Sequence, residues 1–109
     1  MTEGALQDAI RLALADEPGL ALWRNNCGVA LHADGRRVVY GLAPGSADLV
    51  GVLNGRFVAL EVKTAAGRVR PEQRQWLELV RRVGGFAAVV RSVDDARAAV
   101  ARARAGANE

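Results

Sequence analysis

Apolar positions recur at helical spacing in three stretches of the chain, and they alternate or run together in the stretches between. Leu6, Ile10, Ala13 and Leu14 predict a helix from about Glu3 to Ala15, ended by the breakers Asp16-Glu17-Pro18-Gly19. Leu20 to Trp23 is a short apolar run that predicts a strand, and Asn25-Asn26 turns the chain after it. Val29–His32 and Arg37–Tyr40 flank Asp34-Gly35, which is hairpin chemistry. A loop from Gly41 to Gly45 follows, with Pro44 inside it.

Farther on, two strand-like runs between Ser46 and Lys63 flank Asn54-Gly55, the dipeptide best suited to a turn whose two central residues take positive φ. A two-residue turn fixes the register. Leu53 then faces Arg56, Val52 faces Phe57, Val50 faces Ala59 and Asp48 faces Glu61. A second helix begins at Pro71, a residue suited to the first helical turn. Its inward stripe is predicted as Gln73, Trp76, Leu77, Val80 and Val83, and Gly84-Gly85 stops it. Phe86–Val90 reads as a buried strand. Ser92 caps a last helix from Val93 to about Arg104, with Asp95 at the reciprocal capping position. Gly106 to Glu109 are expected to fray. The order predicts an α/β or α+β chain with a mixed central sheet covered by helices, forming one domain over residues 1–109.

The register argument brings two acidic residues together. Directly opposed Cβ atoms on paired strands lie roughly 4.5–5.5 Å apart, and like charges there are destabilising unless something compensates. A divalent cation is one compensation, because two carboxylates, a backbone carbonyl and waters suit Mg²⁺ or Mn²⁺. Lys63, two residues past Glu61 on the same face, could orient or deprotonate a water, or steady charge on a phosphate. The bland alternative is that Asp48 ends its strand and Glu61 and Lys63 face solvent on an edge. Glu3 and Gln7 share the stripe of Leu6 and Ile10, and Gln73 heads the stripe of the second helix. Any of the three could reach the carboxylates.

Half of the 109 residues are apolar, enough for a core, and no run is long enough to span a bilayer. The opening Met1-Thr2-Glu3-Gly4 lacks the pattern of a secretion signal, so a cytoplasmic location is the default. Cys27 is the only cysteine and His32 the only histidine. An intramolecular disulfide and a Cys/His zinc site are therefore both excluded. Cys27 is expected to be a buried structural thiol, and His32 a structural residue. The formal charge of +3 is modest, but five arginines stand between residues 68 and 82 against Glu72 and Glu78. Such a stretch suits phosphate contact or is simply a solvated helix face.

Gly45-Ser46-Ala47-Asp48-Leu49-Val50-Gly51, then Glu61-Val62-Lys63, then Glu72-Gln73 with Trp76, resemble the VRR-NUC family of the PD-(D/E)XK nuclease superfamily. Arg24-Asn25-Asn26-Cys27-Gly28, Tyr40-Gly41-Leu42 and Val89-Val90-Arg91-Ser92 are also similar to it, so the resemblance runs from about Glu3 to Ala96. It implies a restriction-endonuclease-like core and a Mg²⁺- or Mn²⁺-dependent phosphodiesterase acting on DNA. The small stand-alone members that this chain is similar to include phage-encoded nucleases. Some act as homodimers on branched DNA such as four-way junctions. By motif, Asp48 and Glu61 are implied as metal ligands with the Val62 carbonyl a third and Glu3 a further acidic ligand. Lys63 is implied as the catalytic lysine, and Gln73 matches the glutamine after it. Arg68, Arg70 and Arg74 are expected to contact DNA phosphates. Two competing readings dispense with catalysis: a nucleic-acid-binding module that needs only the arginines, and a protein-interaction domain that needs neither metal nor DNA.

Overall fold

The computed structural model describes residues 1–109. In chain order the elements are α1 (Glu3–Ala13), β1 (Leu20–Arg24), β2 (Gly28–Leu31), β3 (Arg37–Tyr40), β4 (Leu49–Leu53), β5 (Arg56–Val62), α2 (Pro71–Arg82), β6 (Phe86–Val90) and α3 (Val93–Arg104). Each predicted helix and strand is present, and the architecture is α/β. Three helices flank a four-stranded mixed sheet of order β1-β4-β5-β6, while β2 and β3 form a separate hairpin.

The Asn54-Gly55 reversal sets the register that the sequence predicts. Asn54 and Gly55 have φ of 49° and 85°, as this turn requires. Leu53 pairs with Arg56, Val50 with Ala59 and Leu49 with Leu60. β1 adds to β4 antiparallel, and β6 adds to β5 parallel. A parallel neighbour needs a crossover, and α2 supplies it.

Alternation along β5 divides the interior in two. Val58, Leu60 and Val62 point into the larger cluster with Leu6, Ile10 and Leu14 of the α1 segment and Ala96, Ala99 and Val100 of α3. Ala59 points the other way, to Leu77 and Val80 of α2, with Val50 and Val89 beside them. Each fully buried Ile or Leu contributes ~1.5–3 kcal/mol, so both helical layers are held firmly to β5.

Several details differ from expectation. α1 stops at Ala13, with Leu14 as its C-cap. Val83 is 74% exposed, because it lies past the last turn of α2 as its C-cap rather than on its inward stripe. Asp95 reaches back to the Arg91 N–H (3.0 Å), one residue before the Ser92 cap, whose hydroxyl accepts from the Asp95 N–H at 3.0 Å. The C-terminal residues do not fray. The Asn108 carbonyl accepts from the Ala87 N–H (3.0 Å), covering the free edge of β6, and Arg56 binds the Ala107 carbonyl (2.6 Å).

Candidate metal and catalytic site

Glu61 is the next-to-last residue of β5 and continues the face of Ala59 toward α2. Asp48 stands one residue before β4, so it is a loop residue at the mouth of the strand rather than part of it. The pairing of Leu49 with Leu60, continued by one position, sets Asp48 opposite Glu61. One Asp48 oxygen accepts the Val62 N–H at 2.9 Å. That bond pins the carboxylate against the end of β5.

Asn25 holds the Asp48 loop from the other side. Its backbone N–H donates to the Asp48 carbonyl (2.8 Å), which carries the β1–β4 ladder one step further. Its side-chain amide donates to Ser46 Oγ (2.8 Å) and to the Ala47 carbonyl (2.9 Å). Ser46 in turn donates to the Ala43 carbonyl at 2.7 Å. Gly45 explains the first letter of the motif. It has φ of 81°, and a Cβ there would lie 2.5 Å from the Glu72 carbonyl oxygen, so only glycine lets the loop press on the first turn of α2.

Four polar side chains are buried in the whole chain: Gln7, Glu61, Lys63 and Gln73. Glu61 is 1% exposed, and neither carboxylate oxygen meets a protein donor. Its carboxyl is pushed up from the ordinary 4.5 to about 9. Burial is the main cause, followed by a hydrogen bond with the Asp48 carboxyl and the Asp48 charge. The Lys63 charge opposes these, and Glu3 adds a smaller upward push. Two carboxylates can share a hydrogen bond only when one holds a proton, so Glu61 has Asp48 as its partner while it is protonated and no partner in the chain once it is ionised.

Lys63 extends the β5–β6 ladder by donating its N–H to the Val90 carbonyl (3.0 Å). Its side chain is buried and makes no ion pair. The turn at 64–67 packs on its stem, and Arg91 clamps that turn through the Thr64 and Gly67 carbonyls at 2.8 and 2.7 Å. Lys63 is the only lysine among fifteen basic residues. That count was a signal available in the sequence: Lys63 is the one side-chain ammonium of the chain, and an ammonium, unlike a guanidinium, can give up a proton. Gln73 spends its Oε1 on the Arg70 N–H (2.9 Å), and its NH₂ has no protein partner.

Glu3 is half-buried in the first turn of α1, on the helix that packs against the opposite cluster. Its charge reaches Glu61, but no three His, Cys, Asp or Glu side chains converge anywhere in the chain. The Val62 side chain lies in the core, so only its carbonyl could serve a ligand. Arg68, Arg70 and Arg74 are all exposed. Arg70 is 3.2 Å from Glu72, whereas Arg68 and Arg74 have no acidic partner. Cys27 is a correction: it is exposed, not buried, because it stands at the foot of the β2–β3 hairpin outside both core clusters, with Sγ 3.1 Å from Ser46 Oγ. His32 is exposed in the turn of the hairpin, 3.2 Å from Asp34.

The donor set suits a hard cation. Once ionised, Glu61 has no protein partner and calls for a counterion, and Mg²⁺ is commonly held by one or two carboxylates with waters completing the shell. The VRR-NUC domain family matches residues 1–94 of the chain. No curated protein matches it in sequence.

Proposed function

Because the chain belongs to the VRR-NUC family, a family of PD-(D/E)XK nucleases, we propose that it is a Mg²⁺- or Mn²⁺-dependent DNA endonuclease selective for branched structures such as four-way junctions. The observation that carries the reading is Glu61, buried opposite Asp48 with both oxygens lacking a protein donor. Asp48, Glu61 and the Val62 carbonyl would hold the cation, and Glu3 would add negative charge from α1. When bound, the cation polarises the scissile phosphate and makes a coordinated water more acidic.

The chain's own groups do the rest. The Val62 N–H fixes the rotation of Asp48, and the layer of α2 keeps water from Glu61. Lys63 takes or gives a proton at the attacking water, or steadies charge on the phosphate. Gln73 offers its free NH₂ to the same face. Arg68, Arg70 and Arg74 grip phosphates and carry no sequence information, so selection is by DNA shape. Two symmetric cuts need two sites, which a two-fold homodimer supplies. The functional domain runs over 1–109 rather than ending with the family match at 94, because α3 supplies Ala96, Ala99, Val100 and Ala103 to the main core. No helix is long and apolar enough to cross a membrane, and we place its work in the cytoplasm.

The test is cleavage of labelled four-way junctions, flaps and linear duplex in Mn²⁺. Wild type is expected to cut the junction preferentially, a chelator to stop it, and Lys63→Ala to slow it about 10²- to 10⁴-fold. Cutting that survives both the chelator and the substitution defeats the reading.

A further inference from the structure

The chain has two tryptophans, one tyrosine and two phenylalanines. All but one of these rings are occupied. Phe86 is buried in the main core, Phe57 and Trp76 meet edge to face with ring centres 6.3 Å apart, and the Tyr40 ring lies over Gly28. Trp23 is the exception. It is 56% exposed, belongs to neither core cluster and has no other ring against it. An indole left in water is a large apolar surface with a flat face free to stack.

Its place in the sheet ties it to the site. β1 is an outer strand, and Trp23 pairs with Val50, which pairs in turn with Ala59. Paired residues share a face and every second residue repeats it, so Trp23 stands on the face of Asp48 and Glu61, one row back from them. α2 covers that face at Ala59 and Ala87 but leaves Trp23 and Ala21 open. One strand spacing of ~4.8 Å and two residues of rise at ~3.4 Å put the Trp23 Cα about 8 Å from that of Asp48. Along one DNA strand that is roughly two to three base steps. Arginines without acidic partners flank the indole. Arg24 is exposed at the site end of β1. A groove of ≈ 500 Å³ runs from Trp23 along the free edge of β1 to the end of α1, and Arg11 is its one charged residue. An apolar peptide laid on this edge would leave both arginines unanswered, and a second copy would set them against their own kind. A free ring between free guanidinium groups suits an unpaired nucleotide, whose base stacks while its phosphates are neutralised. Linear duplex keeps its bases stacked and hidden, whereas a branch point exposes them.

We propose that Trp23 is the residue that tells branched DNA from linear duplex: a base left unstacked at the branch point lies on its indole, with neighbouring phosphates on Arg24 and Arg11. The inference rests on the nuclease reading for its substrate and adds the side chain that reads the shape. The experiment is binding of the full chain in a chelator, so that nothing is cut. Labelled four-way junction and linear duplex are titrated with wild type, Trp23→Ala and Trp23→Phe, and tryptophan emission is followed in Trp76→Phe, where Trp23 is the one indole. Trp23 lies outside both cores, and circular dichroism checks that its variants fold. Trp23→Ala is expected to weaken junction binding ~5- to 150-fold, the loss of one stacked base, and to change duplex binding by less than about twofold. Trp23→Phe keeps a ring and is expected to retain most of the junction affinity. The junction, and not the duplex, is expected to quench the emission of Trp23. Equal losses on both DNAs overturn the proposal, as do no loss at all and emission that the junction leaves unquenched. A Trp23→Ala protein that sediments differently while binding DNA as before gives the edge to a protein partner, and this too overturns it. A junction preference that follows Trp23 in a protein unable to cut DNA with Mn²⁺ leaves the stacking site standing and sinks the nuclease reading instead.

Discussion

Glu61 makes the site costly to fold. Its carboxyl sits at about 9 in the folded chain and returns to the ordinary 4.5 when unfolded. Between those values the folded state holds a proton that the unfolded state has released, so the stability of the metal-free protein falls as pH rises through the window. Glu61→Gln has no such proton. The variant is expected to lack the slope and to be more stable at pH 7.5 by ~2 kcal/mol or more, while losing Mn²⁺ binding. Melting both proteins without metal from pH 5 to 9 checks this, and parallel pH profiles would defeat it. A cation must also displace the proton, so Mn²⁺ affinity in wild type should climb about tenfold per pH unit below 9. Calorimetry in buffers of different ionisation enthalpy reads the released proton directly. Lys63 makes a separate demand. If a mobile proton is needed there, Lys63→Arg keeps the charge yet slows cleavage about 10²-fold, because a guanidinium does not deprotonate. Full activity in that variant would leave only the charge to explain.

At the level of elements, the site is a contact between the Gly45–Asp48 loop, the end of β5 and the first turn of α2. Gly45→Ala is expected to cost about 1–3 kcal/mol in a denaturant melt and to weaken Mn²⁺ binding, since its Cβ meets the Glu72 carbonyl and its φ of 81° disfavours a side chain. Unchanged Mn²⁺ affinity would mean that the loop sits on α2 without depending on it. Much of this assembly was legible beforehand. The Asn54-Gly55 turn is local, and alternation carries its register outward to Asp48 and Glu61. The anchors were not legible. Asn25 reads as a turn residue, but it reaches Ser46 and Ala47 across 21 and 22 positions. Arg91 reads as a family match, but its guanidinium closes the turn over Lys63 from 24 and 27 positions away. Tertiary pairings at such separations leave no periodicity behind. The misplacement of Cys27 has the same origin: with no base or orienting group in view the thiol reads as structural and buried, and only the topology reveals that its hairpin leaves the body.

Across the whole molecule the arginines divide by what they already hold. Arg56 is spent on the Gly84, Gly85 and Ala107 carbonyls, and Arg81 on the Ala87 carbonyl and Glu109. Arg104 is held by Glu17 and the Pro18 carbonyl. Arg56 and Arg81 tie the C-terminal segment to the body, Arg104 ties α3 to the turn before β1, and all three have little left for a phosphate. Arg68 and Arg74 are exposed and hold no acidic partner, while Arg70 is shared with Glu72. The net charge of +3 therefore says nothing of which arginines are free to meet a phosphate. Each phosphate neutralised in a complex contributes about 0.9 to the slope of log K against log salt. Replacing Arg68 and Arg74 together with alanine should flatten the slope for junction DNA by roughly 2, whereas Arg70→Ala should change it by less than one phosphate's share. Arg81→Ala should lower thermal stability and leave the slope alone. Fluorescence anisotropy between 50 and 300 mM salt separates these cases. A slope equally sensitive to Arg81 and Arg74 would mean that the cationic surface is read as a diffuse whole, and that the uncommitted arginines have no privileged part in holding the substrate.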